Sequence, residues 1–215
     1  MYRQAYLIIA HRYDETFKTL LRMLDYDEND IYVHMDLKNK QFDEGDCRKL
    51  IKKSRIYFTK RTSVTWGGYS QINSELILLE AATAHGKYNY YPLLSGQDLP
   101  IKSNDEIMRF FEQHQGTEFV AFDKEKFDCD DRVRYFYPLQ EIVGRNRKSL
   151  LGRISSAMIL FQKIAHLRRN VGIQFQKGPN WFSITDDLAR HVIKRKEWIK
   201  KVFYDSICCD EIFLQ

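Results

Sequence analysis

Thr65-Trp66-Gly67-Gly68-Tyr69-Ser70 and, one helix and one strand further on, Leu94-Ser95-Gly96-Gln97-Asp98-Leu99-Pro100-Ile101 decide how this chain is read. Each is a glycine-bearing turn with a polar tip, and the two are spaced like consecutive loops of one α/β pocket. Between them, Tyr69 to about Ala84 places Ile72, Leu76 and Leu79 along one helical face, and Tyr90 to Leu94 reads as a strand. Pro92 removes a donor from that strand, which predicts a bulge or an edge there.

Outward from these turns, short β-rich runs alternate with segments of helical period, the pattern of a mainly parallel sheet flanked by helices. Tyr6 to Ala10 is a first buried strand, and Asp14 caps a helix whose Phe17, Leu20, Leu21 and Leu24 share a face. Ile31 to Met35 and Ile56 to Phe58 follow as strands. After Pro100, Ser103-Asn104-Asp105-Glu106 has the form of a capping box, with Ile107, Phe110 and Phe111 continuing an apolar stripe. Phe119 to Phe122 returns as a strand. From Asp123 to Lys148 the period is lost, which predicts a long functional loop. A basic helical stretch, Leu150 to Arg169, precedes a last strand, Trp181 to Ile184, and a helix opened by Thr185.

Composition bounds the reading. The chain has 215 residues, 44% of them hydrophobic, enough for one sizeable core and a single domain over 1–215. Thirty-four basic against 29 acidic residues leave a net charge of +5, which favours anionic partners but is too small to argue for nucleic acid. Cys47, Cys129, Cys208 and Cys209 show no metal-ligand spacing, so a reduced, cytoplasmic chain is expected. The apolar run Tyr6 to Ala10 is only strand-length, so neither a signal peptide nor a membrane span is expected, and any membrane contact is peripheral.

In order and wording the two opening turns resemble the core-2/I-branching β-1,6-N-acetylglucosaminyltransferases, a family shared with peptide O-xylosyltransferases. There a tryptophan-glycine-glycine-x-serine segment precedes a leucine-serine-glycine-x-aspartate-x-proline segment, and the resemblance suggests a bacterial-type member. It implies a GT-A-like α/β fold and inverting transfer of a sugar, N-acetylglucosamine first among the choices, from a UDP donor to a glycan or lipid-linked glycan. Another UDP-hexose or xylose, or a non-catalytic nucleotide- or glycan-binding domain, stands as the alternative.

Each chemical demand of that reaction falls on particular residues. Asp36 closes a strand in the crevice where parallel sheets bind ligands, placed either to accept a uracil N–H or to cap a turn. The resemblance matches His34, Asp36 and Lys38 to the family's histidine-x-aspartate-x-lysine run and His11 to its alanine-histidine pair. Gly67 and Gly68 permit close backbone approach while Trp66 offers an apolar face, and Ser70, Ser95 and Asp98 complete the donor group. Standing alone, the tryptophan and glycines would equally be a packed turn.

Deprotonating an acceptor hydroxyl calls for a base within reach. By resemblance this is Glu211 of Asp210-Glu211, although any such acidic pair also suits a helix N-terminus. Asn180 stands where xylosyltransferase-like members carry a catalytic aspartate, and it cannot act as a base. The resemblance assigns Asp131, Arg132, Arg134, Tyr135 and Trp181 to the acceptor. Asp128-Cys129-Asp130 has the D-x-D form of a metal site, but the resembling enzymes work without metal, so no cofactor is expected. The family's diphosphate-binding arginine and lysine come after its aspartate-glutamate helix, whereas this chain ends at Gln215. A missing C-terminal segment is therefore expected, or a substitute such as Lys177. Finally, the basic and apolar residues of 145–169 suit either an anionic membrane surface or a helix packed on the domain.

Overall fold

The computed structural model describes residues 2–123 and 129–214. The chain divides into two compact units. The first comprises Met1–Ser63, Ser74–Phe119 and Trp181–Ile193, and the second Val64–Asn73, Val120–Asn180 and Lys194–Gln215.

The sheet is mostly parallel, as expected. It runs β3 (Arg55–Phe58), β2 (Asn29–Met35), β1 (Gln4–Ala10), β4 (Tyr91–Ser95), β6 (Phe182–Ile184) and β5 (Phe119–Val120). β3, β2, β1 and β4 run parallel to one another, and β6 is antiparallel to β4. Buried strands of this kind read as near-continuous apolar runs, which is why they were legible. On one face, Tyr6, Ile8 and Ala10 of β1 and Ile31, Val33 and Met35 of β2 pack against Phe17, Leu20, Leu21 and Leu24 of helix α1 (Glu15–Leu24).

The helix starts follow local chemistry. The Asp14 carboxylate accepts from the Phe17 amide at 3.0 Å. Ser103 and Glu106 form the expected reciprocal capping box at the head of α4 (Asn104–Gln113). α2 (Glu44–Leu50) escaped the sequence reading, since it buries only Cys47 and has no apolar stripe. α3 spans Tyr69–His85.

Four expectations need correction. Pro92 lies in an interior strand, not at an edge. It falls between the Gln4–Tyr90 bridge and the register that resumes at Leu7–Leu93, so its missing donor interrupts the β1 ladder there. The strand expected over Phe119 to Phe122 is only Phe119–Val120. The expected loop from Asp123 to Lys148 carries two single helical turns, α5 (Asp130–Val133) and α6 (Gln140–Val143), too short to show a period. The basic helix, α7 (Leu150–Ile164), ends before Arg169, with His166 and Asn170 both at positive φ beyond it. α8 (Asp186–Lys194) and α9 (Lys196–Phe203) complete the helices, followed by a 3-10 turn at Cys209–Glu211.

One carboxylate ties the amino ends of four strands together. Asp30, fully buried in β2, accepts from Arg3 before β1 at 2.5 Å, from Arg55 of β3 at 2.6 Å and from Tyr88 before β4 at 2.5 Å. Burial alone would raise its pKa, but the Arg55, Tyr88 and Arg3 contacts outweigh that and hold it below the ordinary aspartate value. Its stabilising effect is therefore present above the unfolded-state pKa and is lost as pH falls through the lower folded-state one. Asp30→Asn, which removes the anion shared by two guanidinium groups that themselves reach solvent, should cost about 1 to 3 kcal/mol in urea denaturation at neutral pH. The difference from wild type should shrink in strong acid.

Candidate active site

In the first unit the candidates stand at the carboxyl ends of three neighbouring strands. His11 follows β1, Asp36 follows β2 and Ser95 ends β4, and the pairings Ala10 with Met35 and Ile9 with Ser95 set these ends side by side. This is the edge at which open α/β sheets take ligands. The Asp36 amide donates to Ala10 O and the Gly96 amide to Ile9 O, each at 2.8 Å. Gly96 admits no larger residue easily, because a Cβ there would lie 2.7 Å from the Cβ of Ala10.

Asp36 is almost buried and does cap its turn: one carboxylate oxygen accepts from the Lys38 amide at 2.9 Å, and the Lys38 ammonium lies 3.4 Å from the other. A carboxylate offers about four lone-pair directions, so capping leaves it room to accept from a ligand as well. Arg61, which the sequence reading missed, fastens the loop by donating to the carbonyls of Met35 at 3.1 Å, Asp36 at 2.8 Å and Asn39. His34 faces inward, fully buried, and its Nε2 accepts from the Thr62 amide at 3.2 Å. Burial pushes that imidazole below its ordinary pKa. Ser95 and Asp98 bind each other, with the Ser95 amide donating to the Asp98 carboxylate at 2.7 Å. His11 is exposed.

In the second unit, the Trp66 segment is held by Glu141. The Ser70 amide and hydroxyl donate to the two Glu141 carboxylate oxygens at 2.8 Å each, and the Thr65 hydroxyl donates to the Glu141 carbonyl at 2.9 Å. Both glycines are buried and packed by the chain itself. A Cβ on Gly68 would meet the Glu141 carboxylate at 2.6 Å, and Gly67, at φ +70°, lies under Cys208 and Gln140. Trp66 stays half exposed, with the Arg145 guanidinium 4.9 Å from its ring centre. Glu141 and Gln140 carry no motif of their own, and only their fold position reveals them.

Glu211 ends the turn that follows. Arg132 donates to its Oε2 at 2.7 Å and Lys177 lies 3.5 Å from the same oxygen, while Lys177 also bonds Asp123 at 2.9 Å. Arg132 further donates to the Cys208 carbonyl at 3.2 Å, bracing a turn whose Cys208 has φ of 49°. Burial works against the Arg132 charge, but the Glu211 hydrogen bond outweighs it and the guanidinium pKa rises. Asp210 accepts from the Gln71 side chain at 2.9 Å, linking this turn to the start of α3.

The other residues assigned to an acceptor are engaged differently. Arg134 bonds Asp130 at 3.0 Å and the carbonyls of Asn170 and Ile173, Asp131 pairs with Lys163 at 2.5 Å, and Tyr135 is buried. Trp181 is half exposed in the first unit. Asp128 lies outside the described residues, and among the described residues no group of three metal-ligating side chains occurs.

The sequence matches the family described as Core-2/I-Branching enzyme over residues 4–215. The chain belongs to that family. Among its relatives, the N-acetyllactosaminide beta-1,6-N-acetylglucosaminyl-transferase of Homo sapiens is 30% identical over 115 residues, 52% of this chain and 29% of the relative. Its counterpart from Mus musculus is 27% identical over 136 residues, 62% of this chain and 34% of the relative. Xylosyltransferase 2 of Rattus norvegicus is 22% identical over 199 residues, 89% of this chain but 21% of the relative. The chain thus spans only a minor part of the length of these relatives.

Burial, then the neighbouring Glu211 charge, push the Asp210 carboxyl up to about 6. Against an unfolded value of about 3.9, the folded state holds the extra proton between these two pH values, so stability falls as pH rises through that window. Asp210→Asn should flatten that fall, as measured by urea midpoints across about pH 4 to 7.

Proposed function

We propose that this protein is an inverting, GT-A-like glycosyltransferase that moves a sugar, N-acetylglucosamine first, from a UDP donor to a hydroxyl of a glycan or lipid-linked glycan. The family match over residues 4–215, with Glu211 following the Trp181-Phe182-Ser183 segment in the family order, carries this reading. Asp36, with His11, Lys38, Ser95 and Asp98, serves the nucleotide-sugar in the first unit. Trp66, Gly67, Gly68 and Ser70 serve it in the second, and Asp131, Arg132, Arg134, Tyr135 and Trp181 serve the acceptor. Because both glycines are packed, their part is to shape the turn that presents Trp66.

The reaction is one displacement. The acceptor oxygen attacks the anomeric carbon, the bond to the diphosphate oxygen breaks with its electrons going to UDP, and the hydroxyl proton passes to Glu211. One displacement leaves the anomeric centre inverted. Both cationic contacts of Glu211 fall on Oε2, so Oε1 is the oxygen that receives the proton. Lys177, bonded to Asp123 and near Glu211, is the cation in this group that a diphosphate would compete for.

Asn180, unable to act as a base, and the human and mouse matches favour N-acetylglucosamine, while the long alignment with Xylosyltransferase 2 keeps xylose as the second donor. A panel of UDP-sugars separates them, and UDP binding without transfer of any sugar would leave a binding domain. We place the protein in the cytoplasm, at the inner membrane face. Free thiols at Cys47, Cys208 and Cys209 accord with a reducing compartment, and among the described residues no helix is long and apolar enough to cross a membrane.

Glu211→Gln in the full-length protein should leave UDP-sugar affinity within a factor of a few yet lower transfer about a hundredfold or more. A wild-type rate would place the base elsewhere. Transfer should also survive EDTA; activity lost to chelation and restored by manganese would replace cationic side chains with a metal as the charge that stabilises departing UDP.

A further inference from the structure

α7 is amphipathic the wrong way round for a helix packed on its own domain. Its buried positions are Gly152, Ser155 at 2% exposure and Gln162 at 8%. Gln162 fastens this side, accepting from the Phe136 amide at 2.8 Å and donating to the Phe136 carbonyl at 3.0 Å. Gly152 sits so close to the preceding turn that a Cβ would lie 2.5 Å from the Arg147 carbonyl oxygen. With 3.6 residues per turn, Leu150, Ile154, Met158, Phe161 and Ile164 then fall on one row, and all five are exposed, Phe161 at 65% and Ile164 at 70%. Ile154, Met158 and Phe161 also line, with Phe136, Leu167 and Arg168, a shallow apolar hollow of about 660 Å³. A contiguous exposed face of this kind marks an interaction surface.

Charge identifies what covers it. No Asp or Glu occurs from Ile142 to Thr185, whereas the same segment holds eight Lys and Arg residues, against a net charge of only +5 for the whole chain. Lys148 and Arg153 are exposed on and before the first turns of α7, and Arg168 beyond its end. We propose that the exposed face of α7 docks in the plane of an anionic lipid bilayer, with Leu150, Ile154, Phe161 and Ile164 entering the acyl boundary and Lys148, Arg153 and Arg168 meeting the headgroups. A helix lying in the interface buries its apolar row by about 5 to 10 Å while its cations stay at headgroup level, which is the distribution this helix presents. A nucleic acid would use the cations but leave the apolar row uncovered.

Vesicle binding by the full chain tests this independently of sugar transfer. The protein should sediment with vesicles of phosphatidylcholine containing about a third phosphatidylglycerol, and far less with phosphatidylcholine alone, and salt should weaken the binding. Replacing Lys148, Arg153 and Arg168 by Gln should weaken it about fivefold per cation removed. Phe161→Ser with Ile164→Ser should release the protein while melting as wild type, and Ile164→Trp should blue-shift its emission on anionic vesicles. Undiminished binding by the double variant overturns the proposal. So does its unfolding, which would show the face packed by the chain itself. A solution dimer that the double variant dissolves, or RNA binding that it leaves intact, with no vesicle binding in either case, assigns the face or its cations to another partner.

Discussion

Asp30 carries a charge with no solvent contact, and its burial is tolerated only because Arg3, Arg55 and Tyr88 reach it together. An isolated buried carboxylate would cost several kcal/mol, so the strands are constrained to bring these donors to one point. Since the donors come from β3 and from the residues just before β1 and β4, satisfying this group sets four amino ends in register. The parallel ladders carry that alignment along their length. Ala10, Met35 and Ser95 consequently finish side by side, and the loops bearing His11, Asp36 and Asp98 leave from one edge.

The second unit uses carboxylates differently, to fasten turns rather than strands. Glu141 takes the place that a Cβ on residue 68 would need and holds Ser70 by two bonds, so Gly68 is required by the chain's own packing. Gly67, at positive φ under Cys208 and Gln140, is required twice over. Arg132 then braces the Cys208–Glu211 turn from its other side. Trp66 and Glu211 thus stand on turns fastened by hydrogen bonds, which is what the proposed transfer would ask of a base.

Legibility in the sequence followed periodicity and chemistry, element by element. β1 and β2 were readable as short, nearly continuous apolar runs, α1 because its buried residues repeat at the helix period, and α4 because Ser103 and Glu106 announce its cap. α2, α5 and α6 were not, since seven or four residues with one or two buried side chains carry no stripe. For the candidate site, the motif residues were visible, but the groups that hold them were not. Arg61, Gln71, Glu141 and the Asp123–Lys177 pair act through main-chain carbonyls or through partners distant in sequence, and no local spacing encodes such contacts.

α7 shows what periodicity leaves undecided. Ile154, Met158, Phe161 and Ile164 recur at helical spacing whether they face a core or a surrounding phase, so the pattern predicts a helix and is silent on its orientation. The orientation is settled by the smaller residues. Gly152 and Ser155 permit the backbone to approach its neighbours closely, and Gln162 pairs with both polar groups of the Phe136 main chain, which no aliphatic side chain can do. Turning the helix over would bury the large side chains, but it would leave the Phe136 amide and carbonyl without that partner and drive bulk into the space Gly152 leaves beside Arg147. The polar and steric terms therefore act together against inversion, and the apolar row is held outward by what lies behind it.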